Sequence, residues 1–172
     1  MKLSVNELNL KASKAIAELP LQNVISFTSD AQRIAYATGR AAGSGLRGEH
    51  AEMYAIALLD VVRYYPRQSG KEYGDMELAD GDMVQVKTDG GKLGSREGTA
   101  QDRLVRAYEA IDADACDWYL LVTKDNKGRV AVSKEELKKA LPELFKGNGT
   151  DLRLTINEKR LRACFRTDYQ RA

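Results

Sequence analysis

The stretch DWYLLVT at residues 117–123 is almost continuously apolar. A strand with one solvated face alternates apolar and polar residues, whereas a strand covered on both faces is apolar nearly throughout. We therefore expect residues 117–123 to form an inner strand of a sheet that carries helices on both sides. The chain has 172 residues, of which 43% are hydrophobic, which is enough for one domain with a real core.

Helical and strand patterns alternate along the rest of the chain, which predicts a mixed sheet flanked by helices, an α/β fold. Glycines in GRAAGSG, residues 39–45, mark a boundary between a small helical N-terminal extension, residues 1–45, and a main domain, residues 46–172. The predicted helices cover residues 4–19, 29–43, 49–63 (before Pro66), 99–111 and 134–145, and the predicted strands cover residues 23–28, a hairpin at 75–88, 117–123, 129–133 and 151–156.

The hairpin DMELADGDMVQVKT, residues 75–88, carries four acids, a glutamine and a lysine. A three-residue loop, Ala79 to Gly81, would place Gly81 in the left-handed conformation of a type I turn with a G1 bulge. In that register Asp75 faces Gln85, and because side chains alternate, Asp75, Glu77, Gln85 and Lys87 share one face. A two-residue turn would point Asp75 away from Gln85, and the turn residues tolerate either register.

Two carboxylates and an amide oxygen on one face are hard ligands that suit Mg²⁺. Carboxylates this close raise each other's pKa unless a cation neutralises them, and Lys87 is a single partner for at least two acids. A metal with open positions could hold a phosphate and a water, with Lys87 orienting the water or stabilising the developing charge. Glu52, on the predicted helix 49–63, lies toward the packed side and needs a partner there. The ordinary alternative is a solvated hairpin with a cross-strand ion pair.

Three segments in order carry a resemblance to a known family: Gly48-Glu49-His50-Ala51-Glu52, then YGDMEL, then Val84-Gln85-Val86-Lys87-Thr88. Together they resemble the Q-x-K branch of the PD-(D/E)XK nuclease superfamily, which includes certain homing endonucleases, Mrr-like restriction enzymes and relatives of Holliday-junction resolvases. The resemblance covers about residues 46–125 and implies a restriction-endonuclease-like fold with an αβββαβ core. Gly74 stands where the family name has proline.

The resemblance also implies roles for individual residues. Glu52 matches the helix acid, Asp75 the metal-binding aspartate and Lys87 the catalytic lysine, while Gln85 occupies a position that is usually acidic. The predicted catalytic residues are therefore Lys87, Asp75, Gln85 and Glu52. The predicted metal ligands are Asp75, Gln85, the Val86 backbone, Glu52 and Glu77, holding Mg²⁺ or, in its place, Mn²⁺.

Basic residues are not in bulk excess, since 27 Lys and Arg face 25 Asp and Glu. Nucleic-acid binding would need basic side chains gathered on one surface. The predicted contacts are Lys92 and Arg96 in the loop after the hairpin, Arg103 on the following helix, and Arg47. Residues 152–172 add six basic and two acidic residues, a further candidate for phosphate contacts. A mobile loop, a solvated helix face and a solubilising tail are the simpler readings of these charges.

These residues predict a Mg²⁺-dependent endonuclease that hydrolyses phosphodiester bonds of DNA, as a homodimer if it cuts duplexes. A junction-specific nuclease, an RNA-cleaving toxin and a non-catalytic nucleic-acid-binding module of the same fold remain open alternatives. Two cysteines without CxxC spacing and a lone His50 make a structural zinc site improbable. The N-terminal MKLSVNELNLK has no apolar h-region and no run approaches eighteen apolar residues, so we expect a cytoplasmic protein without membrane contact.

Overall fold

A computed structural model describes residues 24–43, 47–66, 74–94, 98–145 and 153–171. They form a mixed α/β structure with a seven-stranded sheet and, in the described part, five helices. None of these helices is long and apolar enough to cross a membrane. The helices are α1 (Asp30–Gly43), α2 (Arg47–Leu58), α3 (Ala100–Ala113), α4 (Lys134–Leu144) and α5 (Glu158–Cys164), and the strands are β1 (Ile25–Ser26), β2 (Val61–Tyr64), β3 (Met76–Leu78), β4 (Met83–Thr88), β5 (Trp118–Val122), β6 (Gly128–Ser133) and β7 (Gln170–Arg171).

The seven strands lie side by side in chain order. Only β4 and β5 run parallel, with α3 as the connection between them, and every other neighbouring pair is antiparallel. The predicted inner strand at 117–123 is confirmed as β5, whose residues from Tyr119 to Val122 are all buried. Alternate β5 residues belong to two separate cores: Leu120 and Val122 pack on the side of α1 and α2, and Tyr119 and Leu121 on the side of α3, α4 and α5.

The predicted three-residue loop of the hairpin is confirmed. Gly81 has a φ of 94°, its N–H donates to the carbonyl of Leu78 at 3.0 Å, and the N–H of Leu78 donates to the carbonyl of Asp82 at 2.9 Å. This left-handed position favours glycine because it has no Cβ. Glu77 consequently lies opposite Met83, which places Asp75, Gln85 and Lys87 on one face of the hairpin.

The predicted helix at 49–63 is wrong in its second half. Helix α2 ends at Leu58, and residues 61–64 form β2, which pairs with β1 and β3. Valine and tyrosine favour strands, and the two neighbouring strands provide the hydrogen-bonding partners that a helix would otherwise supply. Tyr64 therefore projects from the sheet toward α1 and α2 rather than from a helix.

The predicted strand at 151–156 is also wrong for its described part. Arg153 makes one isolated bridge to Lys92, and no ladder continues from it. Leu154 and Ile156 are buried while Arg153 is exposed, so the alternation noted in the sequence reflects packing against the core without strand pairing. The predicted helix at 4–19 lies outside the described residues.

Residues 24–43, which the sequence assigned to an N-terminal extension, join the same sheet and helix layer. Strand β1 pairs with β2, and α1 packs against α2. The buried guanidinium of Arg33 donates to the carbonyls of Ile56 and Ala57 at the end of α2, the latter at 3.1 Å, and to the carboxylate of Asp30 at 2.9 Å. These bonds satisfy carbonyls that a helix end leaves without partners, so Arg33 fastens α1 to α2.

Candidate active site

The candidate site lies where β3 and β4 separate. Met76 pairs with Val84 at the start of β3, but two residues along β4 the N–H of Val86 donates to Oδ2 of Asp75 at 2.7 Å. The side-chain amide of Gln85 donates to the same oxygen at 2.8 Å. The Asp75 carboxylate thus takes the place of a strand partner. In a strand, the N–H and the C=O of one residue point to the same side. Since the N–H of Val86 points to Asp75, the carbonyl of Val86 is directed toward Asp75 as well.

Gly74 permits this arrangement because it approaches β4 very closely. A Cβ at position 74 would lie 2.9 Å from the carbonyl oxygen and 3.2 Å from the carbonyl carbon of Val84. Both are backbone atoms of a paired strand and cannot easily move aside. Any side chain here, including the proline of the family motif, would displace the segment that presents Asp75.

Glu52 reaches the site from α2, and Tyr64 holds it there. The Tyr64 hydroxyl donates to Oε2 of Glu52 at 2.5 Å. Burial, followed by the negative charge of Asp75, raises the pKa of Glu52 to about 7, although the Tyr64 bond and the positive charge of Lys87 act in the opposite direction. Glu52, Asp75 and Lys87 therefore form one electrostatic cluster, assembled from a helix and two strands.

The environment also disfavours the ionised form of Asp75. Burial raises its pKa, and the Val86 N–H, the charge of Lys87 and the Gln85 amide only partly oppose that effect. Lys87 lies on the same face of β4 as Gln85 and is half-buried. The charged forms of Glu52 and Asp75 are disfavoured, and the positive charge of the Lys87 ammonium group acts on both. A bound cation would favour the charged forms of both acids.

Two ion pairs flank this cluster. Oε2 of Glu77, a predicted metal ligand, accepts from the guanidinium of Arg63 and from the hydroxyl of Tyr65, each at 3.0 Å. On α2, Oε1 of Glu49 accepts from Nε of Arg40 at 2.5 Å. Glu77 is thus on the predicted face, but its carboxylate is paired with an arginine rather than directed toward Asp75.

The predicted nucleic-acid contacts lie elsewhere or outside the described part. Lys92 is exposed beside Arg153, and Nε of Arg103 donates to the carbonyl of Gly98 at 3.1 Å. Arg96 lies outside the described residues, and only the backbone of Arg47, at the start of α2, is described. Four of the six basic C-terminal residues fall on α5 and β7, and three of these are paired with acids: Arg160 with Glu143, Arg162 with Glu158, and Arg171 with Glu158 and Asp125.

Sequence reasoning missed a polar group behind Gln85. Tyr119 lies beside Gln85 on β5, and its buried hydroxyl donates to the carboxylate of Asp114 at the end of α3. Burial raises the pKa of the neighbouring Cys116 thiol to about 11, so this thiol stays protonated at neutral pH.

Tyr64 was missed because its segment was assigned to a helix. The β-branched and aromatic run VVRYY was the signal that could have placed it on a strand.

The oxygen donors near Asp75 fit a small hard cation in kind. They are the carboxylates of Asp75 and Glu52, the amide oxygen of Gln85 and the carbonyl of Val86. Within the described ranges, no three His, Cys, Asp or Glu side chains are grouped so as to hold a metal ion. A metal ion bound here would therefore need the amide oxygen of Gln85 and the carbonyl oxygen of Val86 as ligands in addition to the two carboxylates.

The chain was compared with models of known protein families, with curated proteins and with solved structures, and none of the three comparisons found a match.

Proposed function

We propose that the chain is a metal-dependent endonuclease that hydrolyses phosphodiester bonds of DNA on a restriction-endonuclease-like fold. The observation that carries this proposal is the Asp75 carboxylate between the separating strands, beside Gln85 and Lys87 and electrostatically coupled to Glu52. The element order from α2 through β2, β3, β4 and α3 to β5 supports the fold, because it has the αβββαβ arrangement that the resemblance implies.

Mg²⁺, or Mn²⁺ in its place, would be held by Asp75 and Glu52 with oxygens of Gln85 and Val86. The raised pKa values of both carboxyl groups support a cation site, since a divalent ion favours their ionised forms. When bound, such an ion supplies Lewis-acid stabilisation of phosphate charge and lowers the pKa of a coordinated water.

The chain's own residues would divide the remaining tasks. The ammonium group of Lys87 can donate hydrogen bonds to a non-bridging phosphate oxygen and stabilise the charge that develops there. The Glu52 carboxylate bonds Tyr64 through one oxygen, and its other oxygen can accept a hydrogen bond from the attacking water and orient it. Tyr64 fixes the orientation of Glu52, and the bonds from Gln85 and Val86 fix Asp75. Each reacting group is thus held before substrate arrives.

The test is cleavage of supercoiled plasmid in Mg²⁺, Mn²⁺ or EDTA by the wild type, Lys87→Ala and Asp75→Asn. We expect metal-dependent nicking or linearisation that both substitutions abolish. Lys127→Ala is the matched control, because Lys127 is an exposed lysine in the turn between β5 and β6. Equal loss in all three variants would point to unfolding, and equal cleavage by all three would point to a contaminating nuclease.

If the wild type leaves the plasmid intact, branched DNA and RNA are the next substrates to test. If it cleaves none of them, the enzyme proposal is refuted and a binding module is the better account.

Cutting both strands of a duplex calls for two sites, so we also propose a homodimer, which sedimentation of the DNA complex would test. Both cysteines are free thiols, which agrees with a cytoplasmic protein.

A further inference from the structure

Two exposed arginines pair with acids that neighbour the candidate site in the chain. Arg40 of α1 pairs with Glu49, one helical turn before Glu52. Arg63 of β2 pairs with Glu77, two residues after Asp75 on the same face of the hairpin. The two arginine side chains are 52% and 53% exposed, so half of each guanidinium-bearing side chain remains open to solvent.

We propose that Arg40 and Arg63 bind backbone phosphates of the substrate on either side of the scissile phosphate. This inference rests on the proposed nuclease function and adds a substrate-binding set that the sequence did not indicate. A guanidinium presents five N–H donors in a planar fork that matches two phosphate oxygens. Arg40 bonds Glu49 through Nε, and Arg63 bonds Glu77 through Nη1 and also the side chain of Tyr65, so each guanidinium keeps N–H donors for a phosphate. Each carboxylate holds its arginine in place, which reduces the entropy lost when phosphate binds.

The charge balance of the site makes these arginines necessary. Four carboxylates, Glu49, Glu52, Asp75 and Glu77, face a polyanionic substrate, and Lys87 alone offsets only one of them. With Arg40 and Arg63 included, three positive groups offset three of the four carboxylates, so the site with all four ionised and a divalent ion bound has a net charge of +1. Without the two arginines the loaded site would stay at −1 and repel a phosphate.

Arg40 interacts electrostatically with the tyrosines next to Glu52, in addition to lying on the surface of α1. Its charge acts on Tyr64, the residue bonded to Glu52, and on Tyr36, whose ring lies 6.2 Å from that of Tyr64. Tyr36 in turn responds to the charges of Glu49 and Glu52. Helix α1 therefore contributes one wall of the site.

The experiment measures duplex binding by fluorescence anisotropy in Mg²⁺, with every variant built on Lys87→Ala to suppress cleavage. Counterion release predicts that each arginine bound to a phosphate adds about 0.9 to the slope of log Kd against log salt. We expect Arg40→Ala and Arg63→Ala each to lower that slope by about 0.9. Lys127→Ala is the control, since Lys127 is an exposed basic residue in the turn between β5 and β6, outside the elements that carry Arg40, Arg63 and the basic C-terminal residues.

Removing an arginine also exposes its carboxylate, and a second pair of variants separates the two effects. Arg40→Ala with Glu49→Gln, and Arg63→Ala with Glu77→Gln, remove both charges of each ion pair. A slope that stays low in these double variants supports direct phosphate contact. A slope restored to the parent value, or single variants indistinguishable from Lys127→Ala, would overturn the inference. Plasmid cleavage by the wild type reports on the nuclease function separately, so the two failures can be told apart.

Discussion

Replacing Glu52 with glutamine is expected to stabilise the metal-free protein at alkaline pH. The folded state raises the pKa of Glu52 from 4.5 to about 7, so between these values the folded chain binds more protons than the unfolded chain. Stability must therefore fall as pH rises through this window, with the full penalty present above the folded pKa. At about 1.4 kcal/mol per pKa unit, the penalty amounts to about 3 kcal/mol. Glutamine keeps an oxygen that accepts from Tyr64 but has no charge to desolvate.

The measurement is urea unfolding of the wild type and Glu52→Gln in EDTA at about pH 5 and about pH 8.5. We expect similar stabilities at the lower pH and a gain of about 3 kcal/mol for the variant at the higher pH. For a chain of this length that gain corresponds to a rise in Tm of roughly 6–12 °C. Mg²⁺ at the higher pH should stabilise the wild type more than the variant, because a cation removes the same penalty.

Glu109→Gln controls for the general effect of removing a carboxylate, because Glu109 is exposed on α3. The free energy of unfolding of the wild type and of Glu52→Gln could instead change in parallel over the whole pH range. That result would show that ionisation of Glu52 does not destabilise the folded state. The reasoning about a desolvated, Asp75-coupled carboxylate would then be refuted.

Gly74→Ala should abolish plasmid cleavage and cost about 1–3 kcal/mol in urea unfolding, since its Cβ meets a strand carbonyl at 2.9 Å. Gly39→Ala, with nothing within 4 Å on α1, should instead stabilise by about 0.5–1 kcal/mol, and similar results for the two would contradict the packing argument. Tyr64→Phe removes a bond that lowers the pKa of Glu52, so in EDTA the pH window over which Glu52 ionisation lowers the stability in urea unfolding should move to higher pH. An unmoved window would mean that the Tyr64 bond does not favour the ionised form of Glu52. Arg33→Ala should lower the free energy of unfolding by about 3 kcal/mol because it leaves buried carbonyls at the end of α2 without donors, and a loss below about 0.5 kcal/mol would show that α1 is held by apolar packing alone.

The amino-acid sequence by itself determined those features that depend on local chemistry. The apolar run from Tyr119 to Val122 indicated an inner strand, and Gly81 suited the hairpin register that brings Asp75 opposite Gln85, although a two-residue turn was also compatible with the turn residues. The side chains of Thr99 and Ser133 start α3 and α4 through reciprocal capping boxes, as their spacing to the following acids predicts. In the turn and the two caps the stabilising contact joins residues that are near in sequence, so the pattern is visible without the fold.

Only the tertiary structure decided where α2 ends and what surrounds its acids. Periodicity does not separate a helix from a strand in a run as short as residues 61–65, and although its β-branched and aromatic residues favour a strand, its pairing with β1 and β3 settled the choice. That pairing turned Tyr64 toward Glu52, and the packing of α1 brought Arg40 to Glu49. These partners come from separate elements, and their contact depends on how helices pack on a sheet. The spacing of residues along the chain does not indicate how the helices pack on the sheet. For this reason the acids could be identified from the sequence, but their partners could not.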